Sequence, residues 1–265
     1  MKIIDENPKA LPIFSYSKIS SYKSCPKAYK FIYIDKLPRL DKPYFVFGSF
    51  AHSILEKFHK EFIDGSKDPI EIVMKKSFIS ALKEFKLKLT KEQIDEVFAI
   101  MQTYLDKLSQ QDKFPNVLSV EKKIWIELDN EIIFNGFIDR IQMDRDNVLH
   151  ITDYKTTKNE KYLTDRTQLL LYAYIMYLEN KDLDKIRTSY MMLKHGMKLL
   201  EKDHNIDELI IAKNKLLEQC IIAKNDKLYR AKPSNFSCNF CDFLDRCDEG
   251  KALIYKKAKF GQIDW

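Results

Sequence analysis

The sequence predicts an α/β fold in which one mixed sheet is flanked by helices, and three observations carry that reading. Residues 117–128, 131–143 and 148–156 are rich in β-branched and aromatic side chains with period-two stretches, the spacing of strands. On either side of them the apolar residues return to helical spacing. Only 6 glycines and 8 prolines in 265 residues leave too little punctuation for a many-turned all-β barrel or a linker-rich chain.

The elements follow in order. Ser and Tyr residues near 15–17 offer N-caps for a helical stretch over 15–35, with Ile19, Tyr22, Tyr29 and Tyr33 at helical intervals around Cys25-Pro26. After a proline-punctuated loop at 37–44, Phe47, Phe50, Ala51, Ile54, Leu55, Phe58 and Phe62 make a broad apolar stripe on a helix that Asp64-Gly65-Ser66 ends. Amphipathic helices over 69–88 and 91–109 come next, the second with Thr90 as its N-cap, before Phe114-Pro115-Asn116 breaks the pattern. The three strands then form a meander with turns at Asp129-Asn130 and 144–147. A helix over 165–180, a fourth strand over 185–194, a short fifth over 198–203 and a helix over 206–229 precede a cysteine-rich tail. No repeat or composition shift marks a second domain. The expected organisation is therefore one domain over 1–265: a helical part and insertion at about 15–112, a core at about 117–230 and a tail at 231–265.

Composition narrows the function classes. With 45% hydrophobic and 32% charged residues the chain buries a core and is not disordered. Its net charge of +6 permits a polyanionic partner without requiring one. Charges and a proline interrupt the start where a secretory leader needs an apolar run, and the apolar stretch near 169–178 is far shorter than a bilayer span. The expectation is a soluble, cytoplasmic protein. Five cysteines are an odd number for a disulfide framework. Cys25 stands alone, Cys220 lies in a helical run as a small core residue, and Cys238, Cys241 and Cys247 cluster with metal-ligand spacing but supply three ligands only.

The chemistry concentrates at 135–156. In a strand, Asp153 and Lys155 share the face of Ile151, while His150 and Thr152 take the other. A hairpin turning about Asp146 sets Asp139 directly opposite Asp153, with Cβ atoms about 4.5–5.5 Å apart. Facing carboxylates repel unless a cation lies between them, and hard divalent ions such as Mg²⁺ or Mn²⁺ favour such oxygen ligands. Lys155, two residues on, is placed to hold or deprotonate a water there. An isolated Asp-x-Lys is ordinarily a surface ion pair; the opposed Asp139 is what argues for a site.

Gly136-Phe-Ile-Asp139, Asp153-Tyr-Lys155-Thr and Gln168-Leu-Leu-Leu-Tyr172 together resemble the PD-(D/E)xK nuclease superfamily, in particular its RecB-like branch, which includes AddB-type nucleases and CRISPR-adaptation exonucleases. Gly48-Ser-Phe-Ala-His52 resembles that branch's Gly-x-x-x-His helix, and Ser17–Pro26 and Cys238–Cys247 match its terminal signatures. The resemblance spans about residues 15–250 with the motifs in the expected order. It implies a restriction-endonuclease-like core and metal-dependent hydrolysis of DNA phosphodiesters, leaving a 5′-phosphate and a 3′-hydroxyl. The implied setting is recombination, repair or phage- or CRISPR-related DNA processing, with single strands or free ends as substrate.

By position, the resemblance makes His52, Asp139, Asp153 and the Tyr154 backbone carbonyl ligands of Mg²⁺ or Mn²⁺. Lys155 orients and activates the attacking water, and Gln168 and Tyr172 position the substrate strand and the lysine. Glu56, one turn after His52, is a candidate acceptor for its imidazole; His59, His150, His195 and His204 carry no motif. The resemblance supplies Cys25 as fourth partner of Cys238, Cys241 and Cys247 around a [4Fe-4S] cluster, which it favours over zinc, tying the N-terminal helix to the C-terminal tail.

Arg140, Lys158, Lys161, Arg166, Arg187 and Lys194 adjoin these elements, with Tyr154, Tyr162 and Tyr190 as stacking surfaces, a mixture suited to a single-strand channel. No phosphate-binding Gly-x-x-x-x-Gly-Lys-Ser/Thr loop occurs, so a helicase or other motor would be a separate polypeptide. The alternative is a non-catalytic iron–sulfur DNA-binding subunit of a larger complex.

Overall fold

Turn chemistry and strand periodicity place most elements where expected in the computed structural model, which describes residues 2–3, 10–40, 43–160, 163 and 165–260. The meander strands are β3 (Asn116–Leu128), β4 (Ile132–Met143) and β5 (Leu149–Lys155). β6 (Lys185–Met192) and β7 (Lys198–Asn205) follow, the second a full strand of 8 residues rather than a short fifth. Two strands of 2 residues, β1 (Lys2–Ile3) and β2 (Ile13–Phe14), were not expected; at that length no periodicity can announce them. The sheet order is β1-β3-β4-β5-β6-β7, with β2 pairing in parallel with β4. β5 and β6 are parallel, and α6 (Thr167–Glu179) makes the crossover that parallel strands need.

The β4–β5 register follows the pivot at Asp146. Arg140 pairs with Thr152 and Ile141 with Ile151, so the next step of the ladder sets Asp139 facing Asp153. The turn closes through the Asp144 amide on the Val148 carbonyl at 3.0 Å, with Asn147 in the left-handed region at φ 59°.

Contacts divide the chain into two compact units. One comprises Met1–Asp41, Trp125–Gly136 and Leu216–Trp265; the other comprises Lys42–Ile124 and Phe137–Lys215. The second holds α3 (Pro43–Ile63), α4 (Ile70–Phe85) and α5 (Lys91–Ser109). Thr90 caps α5 in a reciprocal capping box with Gln93. The stripe predicted on α3 is the heart of this unit's core: Phe50, Ala51, Ile54, Leu55 and Phe58 are wholly buried against Val73, Ala81, Val97 and Met101. Each such large side chain contributes about 1.5–3 kcal/mol on burial, which fixes the helix that carries His52.

The first unit holds α1 (Tyr16–Ser24), α2 (Pro26–Tyr29), α7 (Ile206–Asn225) in its later part, α8 (Asn235–Asn239) and α9 (Asp248–Phe260). The stretch expected as one helix over 15–35 is broken at Cys25, which is extended at φ −159°, and ends in a π-turn over Lys30–Ile34. Pro26 is the reason, since it disfavours helical backbone in the residue before it. Tyr22 donates to Asp226 at 2.7 Å and Tyr29 stacks on Tyr229 at 6.2 Å, joining the two ends of the chain within this unit.

Candidate functional site

Within the second unit, α3 brings His52 to the ends of β4 and β5. Tyr154 is the hub. Its backbone N–H donates to Asp139 Oδ2 at 2.7 Å, and its carbonyl accepts from His52 Nε2 at 3.0 Å. That bond leaves His52 Nδ1 toward Asp139 Oδ2, 3.4 Å away. Gly48, one turn before His52, lets α3 approach β5: a Cβ there would meet Thr156 Oγ1 at 3.4 Å.

His52, Asp139 and Glu121 form a group whose donor atoms all lie within 4.8 Å of one another, the one such group of His, Cys, Asp or Glu among the described residues. Glu121 was missed from the sequence. It precedes Lys122 and Lys123 in a run that looks like a solvated strand face. Its backbone, however, turns into the left-handed region at φ 45°, interrupting the pleat of β3 and re-aiming the side chain. No sequence signal announces that turn.

The electrostatics fit a cation. Burial, reinforced by Asp139, pushes the Glu121 carboxyl up to about 7. Burial likewise pushes Asp153 up to about 6, with Asp139 adding to it and Lys155 opposing it. Burial works against a charged His52, yet Asp139, Asp153 and Glu121 outweigh it and raise its pKa. One imidazole and crowded carboxylates suit a hard divalent ion. Asp153 lies outside the tight group, its Oδ2 held by Lys155 Nζ at 2.5 Å. The ammonium also lies 5.2 Å from the centre of the Tyr190 ring. Gln168 donates to Tyr172 at 3.0 Å, and Asp153 and Asp139 are near enough to raise the Tyr172 hydroxyl pKa further after burial. A cavity of about 850 Å³ opens on His52, Glu121, Asp139 and Lys155.

Several residues that adjoin the site elements are engaged elsewhere. Glu56 lines the cavity and acts on Glu121, while the His52 ring bonds Tyr154 and Asp139 instead. Arg140 is only 4% exposed, donating to Tyr104 at 3.0 Å beneath Tyr154, with Tyr104 bonded in turn to His59 at 2.6 Å. Arg166 donates to the Leu200 carbonyl, Arg187 to Asp144, Asp146 and Asp203, and Lys194 to Glu96. Tyr154 and Tyr190 are 2% and 3% exposed, too buried to stack a base. Lys158 is exposed; Lys161 and Tyr162 lie outside the described residues. His150, His195 and His204 bond elsewhere, to Ser189, the Lys158 carbonyl and Glu208.

In the first unit, Cys25, Cys238, Cys241 and Cys247 are all thiols and half-buried. Three of the sulfurs accept backbone N–H groups: Cys25 from Lys232 and Cys247 from Gly250, each at 3.4 Å, and Cys241 from Phe243. A Cβ on Gly250 would meet Cys247 Sγ at 3.4 Å and Cys238 Sγ at 3.5 Å. Burial raises the Cys241 thiol, with the nearby Cys25 and Cys238 sulfurs adding to it. The four do not form a group with mutual distances under 4.8 Å. Cys220 is wholly buried, its thiol pushed up to about 12 by burial. Among the described residues, no helix is long and apolar enough to cross a membrane.

A family model described as the PD-(D/E)XK nuclease superfamily matches residues 13–248. No curated protein is similar enough in sequence to match. Among solved structures, one described as "Putative exonuclease" from Eubacterium rectale superposes with a TM-score of 0.50 at 11% identity, covering 95% of this chain and 93% of that one. At that identity the likeness is one of fold. A second, described as SSO0001, is 12% identical over 92% of this chain and 89% of its own, with a TM-score of 0.39, too loose a superposition to carry an argument.

Proposed function

The chain belongs to the PD-(D/E)XK nuclease superfamily, and from that premise we propose that it is a metal-dependent deoxyribonuclease of the RecB-like kind, acting as an exonuclease on single strands or free ends. The observation that carries this is the convergence of His52, Glu121, Asp139 and Lys155 in one open cavity, with Lys155 paired to the buried Asp153. His52, Asp139 and Glu121, with Asp153 and the second lone pair of the Tyr154 carbonyl in reach, would hold Mg²⁺ or Mn²⁺. When bound there, such an ion supplies Lewis acidity to a phosphoryl oxygen and offsets charge that builds on it. Lys155 orients the attacking water. Gln168 and Tyr172 position the strand and the lysine. The Tyr154 amide and carbonyl keep Asp139 and His52 aimed inward without using their own side chains.

End-labelled single- and double-stranded DNA incubated with Mn²⁺, Mg²⁺ or EDTA tests the reading. Shortening from the ends with either metal and none in EDTA is expected. No cleavage of either substrate with any metal would leave the non-catalytic subunit as the better account. Glu121 gives a sharper check. Glu121→Gln is expected to raise the Mn²⁺ concentration for half-maximal cleavage about tenfold or more, as loss of a ligand does. Glu56→Gln, on the same cavity wall, should shift it far less. Equal shifts would remove Glu121 from the ligand set.

We propose further that Cys25, Cys238, Cys241 and Cys247 hold a [4Fe-4S] cluster. The backbone N–H groups directed at three of the sulfurs support it, since hydrogen bonds to sulfur stabilise cluster thiolates. A zinc ion with bonds of about 2.3 Å draws its sulfurs to roughly 3.8 Å apart. A cluster takes each thiolate on a different iron.

A further inference from the structure

The stacking surfaces expected for a single strand, Tyr154 and Tyr190, are buried, yet the mouth of the catalytic cavity is not without aromatic rings. Tyr44 and Phe45, on the first turn of α3, are 60% and 54% exposed, and their ring centroids lie 4.5 Å apart. Both line the cavity that holds His52, Glu121, Asp139 and Lys155. Phe45 and Tyr44 precede His52 by two helical turns, so all three fall on one side of α3. Between them on that side stand only Gly48 and Ser49, which leave the path from the rings to the ligands low and open. Two adjacent large rings left in water, rimmed by polar and acidic groups, mark a place where a ligand supplies the missing apolar contact.

The chemistry of the cavity selects that ligand. Its floor is the ligand set for a phosphodiester cleavage, so what enters carries a phosphate and, beside it, a base. The rings lie about 10 Å along the helix axis from His52, so a base resting on them belongs to a nucleotide beside the scissile one. A duplex keeps its bases paired and stacked inward; an unpaired base offers its face. We propose that Tyr44 and Phe45 form a base-stacking subsite for an unpaired nucleobase of the substrate strand, and that this subsite sets the preference for single-stranded DNA. The proposal rests on the nuclease reading above and adds the recognition element to it.

The test uses the full-length protein with Mn²⁺ on three end-labelled substrates: a single-stranded oligonucleotide, the same strand with abasic sites in its terminal nucleotides, and a blunt duplex. For the native protein, KM should rise about tenfold or more on the abasic strand, the loss of one stacked base. Tyr44→Ala/Phe45→Ala should raise KM on the ordinary strand by a similar factor, leave kcat within a few-fold, and abolish discrimination between ordinary and abasic strands. Tyr44→Phe/Phe45→Tyr should restore both. Because the two rings are exposed, the melting temperature should not move. Native cleavage with undiminished abasic discrimination in the double alanine variant would overturn the subsite alone. A protein that cleaves nothing with any metal would overturn the nuclease reading, and the subsite with it. Discrimination by neither protein would assign the rings to something other than a base, such as a protein partner.

Discussion

Lys155→Ala is expected to abolish cleavage while the fold persists. Lys155 ends β5, where its backbone pairs with Met192, so the ladder survives the loss of the side chain. What disappears is the ammonium 2.5 Å from Asp153 Oδ2, the one lysine among the described residues on the wall of the cavity that holds His52 and Asp139. On the proposed mechanism nothing then orients the attacking water beside the carboxylates. A fall of about 10³-fold or more, roughly 4 kcal/mol of transition-state stabilisation, is the scale for removing such a group. Single-turnover cleavage of an end-labelled strand measures it, with far-ultraviolet circular dichroism as the control for folding. Asp153→Ala should be as severe. Full cleavage by a clean Lys155→Ala preparation would remove Lys155 from the mechanism and with it the case for this cavity.

Cys25 carries the other large effect. Protein purified without oxygen should be brown, and Cys25→Ser should bleach it as thoroughly as Cys241→Ser, although these two residues are more than two hundred positions apart. The variant should also lose stability, because a crosslink between the chain ends restricts the unfolded state by roughly 4–5 kcal/mol in the loop-entropy account. A lowered urea midpoint in anaerobic buffer reports that loss. Cys220→Ser should keep the colour, since that thiol is a wholly buried core residue and has no place in a four-ligand shell. Colourless protein with stoichiometric zinc would replace the cluster by zinc and spare the four-cysteine site. Colour retained in Cys25→Ser would exclude Cys25 from it.

The residues that were legible in the sequence are those whose roles are set by neighbours in the chain. Asp139 and Asp153 face each other because strand alternation and a turn about Asp146 fix a hairpin register over a few residues. Thr90 caps α5 for an equally local reason. His52 was found by the spacing of its motif, and the apolar stripe on the same helix told which way it is held. Glu121 was invisible because its placement depends on one left-handed residue inside a strand. Arg140 shows in the sequence only as a basic residue next to Asp139; that it is buried and bonded to Tyr104, which His59 also bonds, depends on elements far apart in the chain.

Periodicity, turn chemistry and capping act over a few residues, so the sequence by itself determined most of the longer helices and strands, the β4–β5 register and the Asp139–Asp153–Lys155 arrangement on it. Partner choice and exposure are settled by elements that meet from far apart in the chain, and only the tertiary structure decided those. It paired Arg166 with the Leu200 carbonyl, Arg187 with Asp144, Asp146 and Asp203, and Lys194 with Glu96. It buried Tyr154 and Tyr190 and left Tyr44 and Phe45 in water. It also carried Glu121 to His52 across seventy residues of sequence, because a charged side chain has no periodic signature that says which distant groups it will face.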